Sequence, residues 1–388
     1  MQRSFGGAFL VVGTTIGAGM LSLPLITAAC GLGVSIILVI LSWSVMYSTA
    51  LKLIRVCENQ PLGVNYTTLI KNTMPLSMQM LFTVVYLLLL YALMSAYTTQ
   101  GATLIQLVTQ TQHASVAIDV IVFILIFGLV ILSTRLSDYV NRSFVSIKLI
   151  FYVLCVLSMI VCLKLGNMLA GPLSFYAIIF AWPTLLPSFG FQNIIPVLYE
   201  YQKGDVKAIK RSILTGSLMV LGIYIIWLFV CLSILPQTGH DSYQQIFARG
   251  NTLDVFMQAI KTSTQSKWIN TFLSIFINIS IITSFICVGL SLYHYIRDTF
   301  NRMGLQINKA IGFFLTFLPP FIFTVFYPKG FILALQYAAI FAVVIFVFTP
   351  VYLDIENRKK AHNFYPLILG ALVIIAQILN LSGIAKPF

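Results

Sequence analysis

Long apolar stretches, almost free of charge, alternate along this chain with short loops that hold nearly all of its Lys, Arg, Asp and Glu. No charged side chain occurs from Ser4 to Leu51, from Leu165 to Tyr199 or from Trp268 to Ile296. A helix needs roughly 20 apolar residues to cross a bilayer, so the first of these runs holds two crossings. Charge-free length and flanking loops predict helices over 5–28, 32–53, 79–110, 116–134 and 143–163. A second set follows over 173–199, 211–235, 268–296, 310–326, 330–353 and 364–385. The expected fold class is an all-α polytopic membrane protein of eleven helices, a single transmembrane domain over 1–388.

The first and sixth stretches carry short uncharged interruptions about 175 residues apart. One is Gly13-Thr14-Thr15-Ile16-Gly17-Ala18-Gly19, ahead of Pro24; the other is Pro187-Ser188-Phe189-Gly190-Phe191-Gln192-Asn193, ahead of Pro196. Gly, Thr and Pro are poor helix formers, and Pro24 is expected early in a second half-helix, where it costs little. In hydrocarbon every backbone N–H and C=O needs a partner, so irregular backbone persists only where it lines a cavity or a ligand completes it. A broken helix offers unpaired N–H groups with a positive dipole end, and unpaired carbonyls opposite them. A zwitterionic amino acid matches both, with its carboxylate on N–H groups and its ammonium on C=O groups, and requires no charged side chain. The competing reading of Gly13 and Gly17 is close helix packing through a small-x-x-x-small pattern. Recurrence of the interruption half a chain later favours binding. Phe189 and Phe191 flank the second interruption as pocket walls, and Gln192 and Asn193 add side-chain partners.

Helices 1 to 5, about residues 5–165, and helices 6 to 10, about 170–353, are read as two repeats, with an added helix at about 364–385. Five crossings is an odd number, so the repeats insert in opposite orientations. With the amino terminus in the cytoplasm, seventeen of the 23 Lys and Arg fall on the inner side and six on the outer. Basic loops stay inside, which puts the carboxyl terminus outside.

Composition matters mainly for what it excludes. With 59% apolar and 9% charged residues and a mean hydropathy of +0.96, there is no polar coat for a water-soluble core. The net charge of +13 is spread over many loops rather than gathered on one face, which argues for retention at an anionic membrane and against nucleic acid. Arg3 followed by an apolar run to Cys30 faintly resembles a lipoprotein leader. The single basic residue, Pro24 within the run and the immediate second span argue for an uncleaved first helix. Six cysteines without C-x-x-C spacing suggest neither zinc nor a disulfide framework. There is no H-E-x-x-H, G-x-S-x-G or G-x-x-x-x-G-K-[ST] motif, so an enzyme is disfavoured and no metal or cofactor is expected. Nothing in the loops marks an obligate protein partner.

Several stretches carry a family resemblance: Gly13 to Pro24, Tyr91 to Tyr97, Asn141 to Lys148, Ser188 to Gln192, Thr283 to Phe285 and Phe317 to Phe331. Together they resemble the bacterial hydroxy and aromatic amino acid permeases, most of all the tyrosine-specific branch, over essentially the whole chain. The resemblance implies the leucine-transporter-type fold of the amino acid-polyamine-organocation superfamily. It also implies proton-coupled import of aromatic amino acids, tyrosine first and then tryptophan or phenylalanine, through the bacterial inner membrane by alternating access. Helices 1, 3, 6, 8 and 10 hold no Asp or Glu at mid-depth, which disfavours cationic substrates. Neutral aromatic side chains suit Phe189, Tyr91 and Tyr97, and a substrate hydroxyl would be met by Gln192, Asn193, Ser95 or Gln100. Lys148 looks like the helix 5 lysine that stands in for a sodium ion in proton-coupled relatives, with Thr283 and Ser284 as hydroxyl partners. The simpler reading of Lys148, roughly 9 Å inside its helix, is snorkelling to the inner surface. Paired hydroxyls at Thr283 and Ser284 also suit sodium, so sodium coupling or uncoupled exchange stays open, as does a sensor that binds without net transport.

Overall fold

The computed structural model describes residues 2–17, 19–58, 60–62, 66–109, 115–169, 175–250, 252–358 and 364–384. Among these residues there is helix and turn but no strand. In chain order the helices are α1 (Gln2–Thr15), α2 (Gly19–Thr27), α3 (Gly31–Cys57), α4 (Tyr66–Thr73), α5 (Leu76–Thr109) and α6 (Val116–Phe123). Next come α7 (Thr134–Met159), α8 (Gly166–Leu169), α9 (Phe175–Leu185), α10 (Ile195–Tyr201), α11 (Val206–Ile234) and α12 (Tyr243–Ala248). The last are α13 (Leu253–Thr264), α14 (Lys267–Arg302), α15 (Lys309–Phe326), α16 (Phe331–Val343), α17 (Thr349–Arg358) and α18 (Tyr365–Leu381).

Eight helical segments among the described residues are long and apolar enough to cross a membrane. Three shorter apolar helices, Gly6–Thr15, Val116–Leu132 and Tyr365–Leu381, fill the remaining expected stretches. The segment Gly19–Cys57 turns at Ala28–Cys30, where Gly31 has φ 71°, a left-handed conformation that glycine adopts without steric cost. It therefore supplies both the end of the first expected helix and all of the second. Differences from the expected boundaries have local causes. The eighth expected helix runs on to Arg302, its last turn held by an Asp298–Arg302 pair at i,i+4. The long loop after α11 holds two helices, α12 and α13, whose first turns are capped by the Ser242 and Thr252 hydroxyls. π turns at Ile124–Gly128 and Val344–Phe348 interrupt two other spans.

The chain divides into two compact units. The first comprises residues 1–86, 168–232 and 339–388. In it α3 packs on α17 and α10, and α9 packs on α18 and α2. Gly216 of α11 lies against α1 so closely that an added Cβ would sit 2.7 Å from the Ala8 carbonyl oxygen. Lys52 and Arg55 of α3 hold Asp354 of α17 at 3.5 and 3.2 Å, with Lys52 and Asp354 buried.

The second unit comprises residues 87–167 and 233–338. Its centre is α14, packed along α7 and flanked by α15 and α13. Phe285 of α14 meets Phe123 at 4.6 Å and Phe317 at 5.5 Å between ring centroids, a buried aromatic cluster. On α7, Ile150, Val153 and Leu157, continued by Val161 in the Ile160–Cys162 turn that follows, form an exposed apolar stripe at helical spacing, as a lipid-facing surface requires.

Candidate functional site

Both glycine-bearing segments are true interruptions, and both belong to the first unit. In the first, α1 ends at Thr15, Ile16 N donates to Val12 O at 2.9 Å, and α2 opens with Met20 N donating to Gly17 O at 3.2 Å. Gly13 and Gly17 are half-buried, Thr14 is exposed, and Thr15 and Ile16 are buried. The Thr14 and Thr15 hydroxyls turn back to the Leu10 and Val11 carbonyls, at 2.8 and 2.6 Å, a bond that offers the backbone an alternative just where the helix stops. Ala18 lies outside the described residues. Pro24 lies inside α2 rather than in its first turn. It therefore withholds an N–H from Met20 O instead of filling an already unpaired position.

The second interruption is two short 3-10 turns, Pro187–Phe189 and Gln192–Ile194, between α9 and α10. Phe189 N and Gly190 N donate to Leu186 O and Pro187 O, at 3.2 and 2.9 Å. The next bond of that series would join Phe191 N to Ser188 O. Phe191 N instead donates to the Gln192 side-chain oxygen at 3.0 Å. The same amide donates through Nε2 to Met46 O at 3.1 Å and Thr49 Oγ1 at 3.0 Å on α3. Gln192 is wholly buried, so all of its polar atoms are engaged within the protein, and it braces the interruption on α3. Asn193, beside it, is exposed. Pro196 sits at the start of α10, where its missing N–H costs nothing.

The two interruptions meet. A Cβ added to Gly19 would lie 3.6 Å from Ser188 Oγ and 3.9 Å from Ser188 Cα, ordinary contact distance. Ser188 Oγ itself donates to Thr184 O at 3.1 Å. The Tyr224 hydroxyl of α11 stands 3.0 Å from Thr15 O and 2.7 Å from Ser188 O, touching one carbonyl of each interruption. Phe189 is fully buried with its ring 4.9 Å from that of Tyr224, and Phe191 is equally buried. Gly190 is half-buried, with room for a Cβ only at 3.0 Å from Pro187 O and from the Phe346 ring. Sequence reasoning missed Tyr224, because a tyrosine in an apolar helix carries no local sign of partners 36 and 209 residues away.

The other candidates lie in the second unit. Tyr91 donates its hydroxyl to Leu315 O at 2.8 Å, and Tyr97 is buried. Ser95 Oγ donates to Tyr91 O at 2.8 Å. Gln100 Nε2 is engaged with Asp254 Oδ1 of α13 at 3.0 Å. Lys148, on α7, is 2% exposed and does not reach the surface, unlike a snorkelling lysine. Thr283 and Ser284 lie on α14, the helix packed along α7; Thr283 is buried and donates to Ser280 O at 3.0 Å. Asp119 is buried at the start of α6 and accepts from Gln106 Nε2 at 2.9 Å. No cluster of potential metal ligands occurs among the described residues.

Comparison with known proteins bears on the whole chain. The profile of the tryptophan/tyrosine permease family matches residues 1–386. Tyrosine-specific transport system 1 of Haemophilus influenzae is 32% identical over 399 aligned residues, covering 100% of this chain and 97% of that protein. The tryptophan-specific transport protein of the same organism is 28% identical, with 96% of this chain and 95% of that protein aligned. Among solved structures, a manganese transporter of Eremococcus coleocola aligns over 98% of this chain and 85% of its own, with a TM-score of 0.62 at 14% identity, a likeness of fold.

Proposed function

The chain belongs to the tryptophan/tyrosine permease family, and from that premise we propose that it imports aromatic amino acids, tyrosine first and tryptophan or phenylalanine after it, by proton symport with alternating access. It is a multi-pass protein of the bacterial inner membrane, in a family of permeases rather than enzymes. The fold is of the leucine-transporter type. Its amino terminus is cytoplasmic and its carboxyl terminus periplasmic, and two inverted five-helix repeats are followed by α18.

The observation that carries this reading is the meeting of two interrupted helices at Gly19 and Ser188. Substrate carboxylate takes the N–H groups opening α2, where the helix dipole is positive. Substrate ammonium takes carbonyl oxygens of the interruptions, and the aromatic side chain lies by the Gly190 turn with Phe189 and Phe191 behind it. Such a site holds a zwitterion without a charged side chain of its own, consistent with the uncharged run from Leu165 to Tyr199.

Lys148 carries the coupling proton. It is a buried ammonium with the Thr283 and Ser284 hydroxyls on the neighbouring helix, and a desolvated lysine exchanges its proton readily. The test is purified protein in liposomes, supplied with labelled tyrosine under a pH gradient and, separately, a sodium gradient. Accumulation under the pH gradient, lost in Lys148→Ala, is the expected result. Accumulation under sodium alone overturns proton coupling, and saturable binding without accumulation makes the protein a sensor.

A further inference from the structure

We infer that Tyr224 is a positioning residue for the substrate site, its hydroxyl pinning one carbonyl from each interruption to a single point; this rests on the transport reading above. The two carbonyls are available for a reason. Thr15 is the last residue of α1, and the residue four further on, Gly19, already begins α2. Ser188 O would receive Phe191 N if the 3-10 turn continued, but that N–H is held by the Gln192 side chain. Two buried carbonyl oxygens thus face Tyr224 Oη at 3.0 and 2.7 Å, and the hydroxyl has one proton to share between them.

The consequence is geometric. Tyr224 is fully buried, and its ring is fixed beside Phe189 at 4.9 Å. The hydroxyl therefore has little freedom, and the spacing of Thr15 from Ser188 follows from the position of α11. The peptide groups proposed to grip the substrate lie just beyond these two residues, at Gly17 and Gly19 and at Gly190. A site that divides its contacts between two chain segments needs that spacing held before the ligand arrives; otherwise binding must supply the ordering. Tyr224 supplies it while touching no substrate itself.

Tyr224→Phe keeps the ring and removes only the hydroxyl. In liposomes, its apparent KM for tyrosine uptake is expected to rise roughly tenfold, the scale of one or two lost hydrogen bonds, with the maximal rate nearly unchanged. Para-aminophenylalanine placed at position 224 by codon suppression offers two N–H protons for the two carbonyls and is expected to restore the KM to the wild-type value. A residue that served only general packing would instead lower the yield of folded protein or the maximal rate and leave KM alone. If Tyr224→Phe fails to fold, para-methylphenylalanine, close to tyrosine in size but without a donor, is compared with the para-amino protein, and equal KM values overturn the inference. An unchanged KM in Tyr224→Phe, or a para-amino protein no better than it, also overturns it. Wild-type protein that takes up no tyrosine sinks the transport reading and this inference together, whereas uptake with equal KM values sinks this inference alone.

Discussion

Gln192→Leu removes the amide that holds the second interruption open while keeping nearly the same volume in a fully buried position. Three bonds to nitrogen and oxygen partners are lost, one from Phe191 N at 3.0 Å and those to Met46 O and Thr49 Oγ1 at 3.1 and 3.0 Å, together with a weak one to Met46 Sδ at 3.5 Å. Two of the three partners keep a bond, because the Thr49 hydroxyl donates to Met46 O at 3.0 Å. The principal loss is Phe191 N, whose orphaning costs about 1–3 kcal/mol. The bonds to α3 add roughly 1 kcal/mol, for a total of about 2–4 kcal/mol. Thermal unfolding of the purified protein in detergent should therefore occur several degrees lower. Without the brace on α3 the turn carrying Gly190 also loosens, so tyrosine affinity should fall beyond what lost stability explains. An unfolding midpoint within about 1 °C of wild type would refute the reasoning, since a brace whose removal costs nothing braces nothing.

Three further outcomes follow from the same geometry. Gly216→Ala drives a Cβ to 2.7 Å from Ala8 O, a backbone atom that cannot swing away, so α1 must shift from α11. The expected cost is about 1–3 kcal/mol, with a matching fall in folded yield by size-exclusion chromatography, and a wild-type yield would contradict it. Asp354→Asn leaves buried Lys52 without the carboxylate 3.5 Å away and should lower stability by about 3 kcal/mol or more in the same unfolding assay, where an unchanged midpoint would count against it. Burial lifts the Asp254 carboxyl above the ordinary aspartate range, against the opposing pull of the Gln100 amide, its own backbone bond and Lys329. The folded state then binds the proton more tightly than the unfolded state, so stability falls as pH rises from the ordinary value near ~4 through the raised one. Asp254→Asn should match wild type in unfolding temperature at acid pH and exceed it at neutral pH, and a difference independent of pH would contradict this.

Much of the architecture was legible because hydrophobic length is a nearly sufficient signal in a membrane chain. Glycine, proline and threonine clusters likewise mark where a helix cannot continue: Thr15, Pro187 and Gly190 all stand at ends or turns. The π turns at Ile124–Gly128 and Val344–Phe348 left no such mark, since they depend on packing rather than propensity. Pro24 misled in detail, because sequence shows that a proline is present but not how far inside the new helix it falls. Side-chain roles were harder still. Gln192 reads as a free amide ready for substrate until α3, 146 residues earlier, is seen to take it. Tyr224 reads as one more aromatic in an apolar span until two carbonyls converge on its hydroxyl. Long-range hydrogen bonds of this kind have no periodicity to betray them.

The central claim is that peptide groups freed at two interrupted helices grip a small dipolar solute. An experimentally determined structure with tyrosine bound tests it most directly. The account predicts the substrate carboxylate at about 2.7–3.1 Å from backbone N–H groups of residues 17–19, with its aromatic ring beside Gly190. Helices running unbroken through 13–19 and 187–193, or tyrosine held elsewhere by charged side chains, would contradict it.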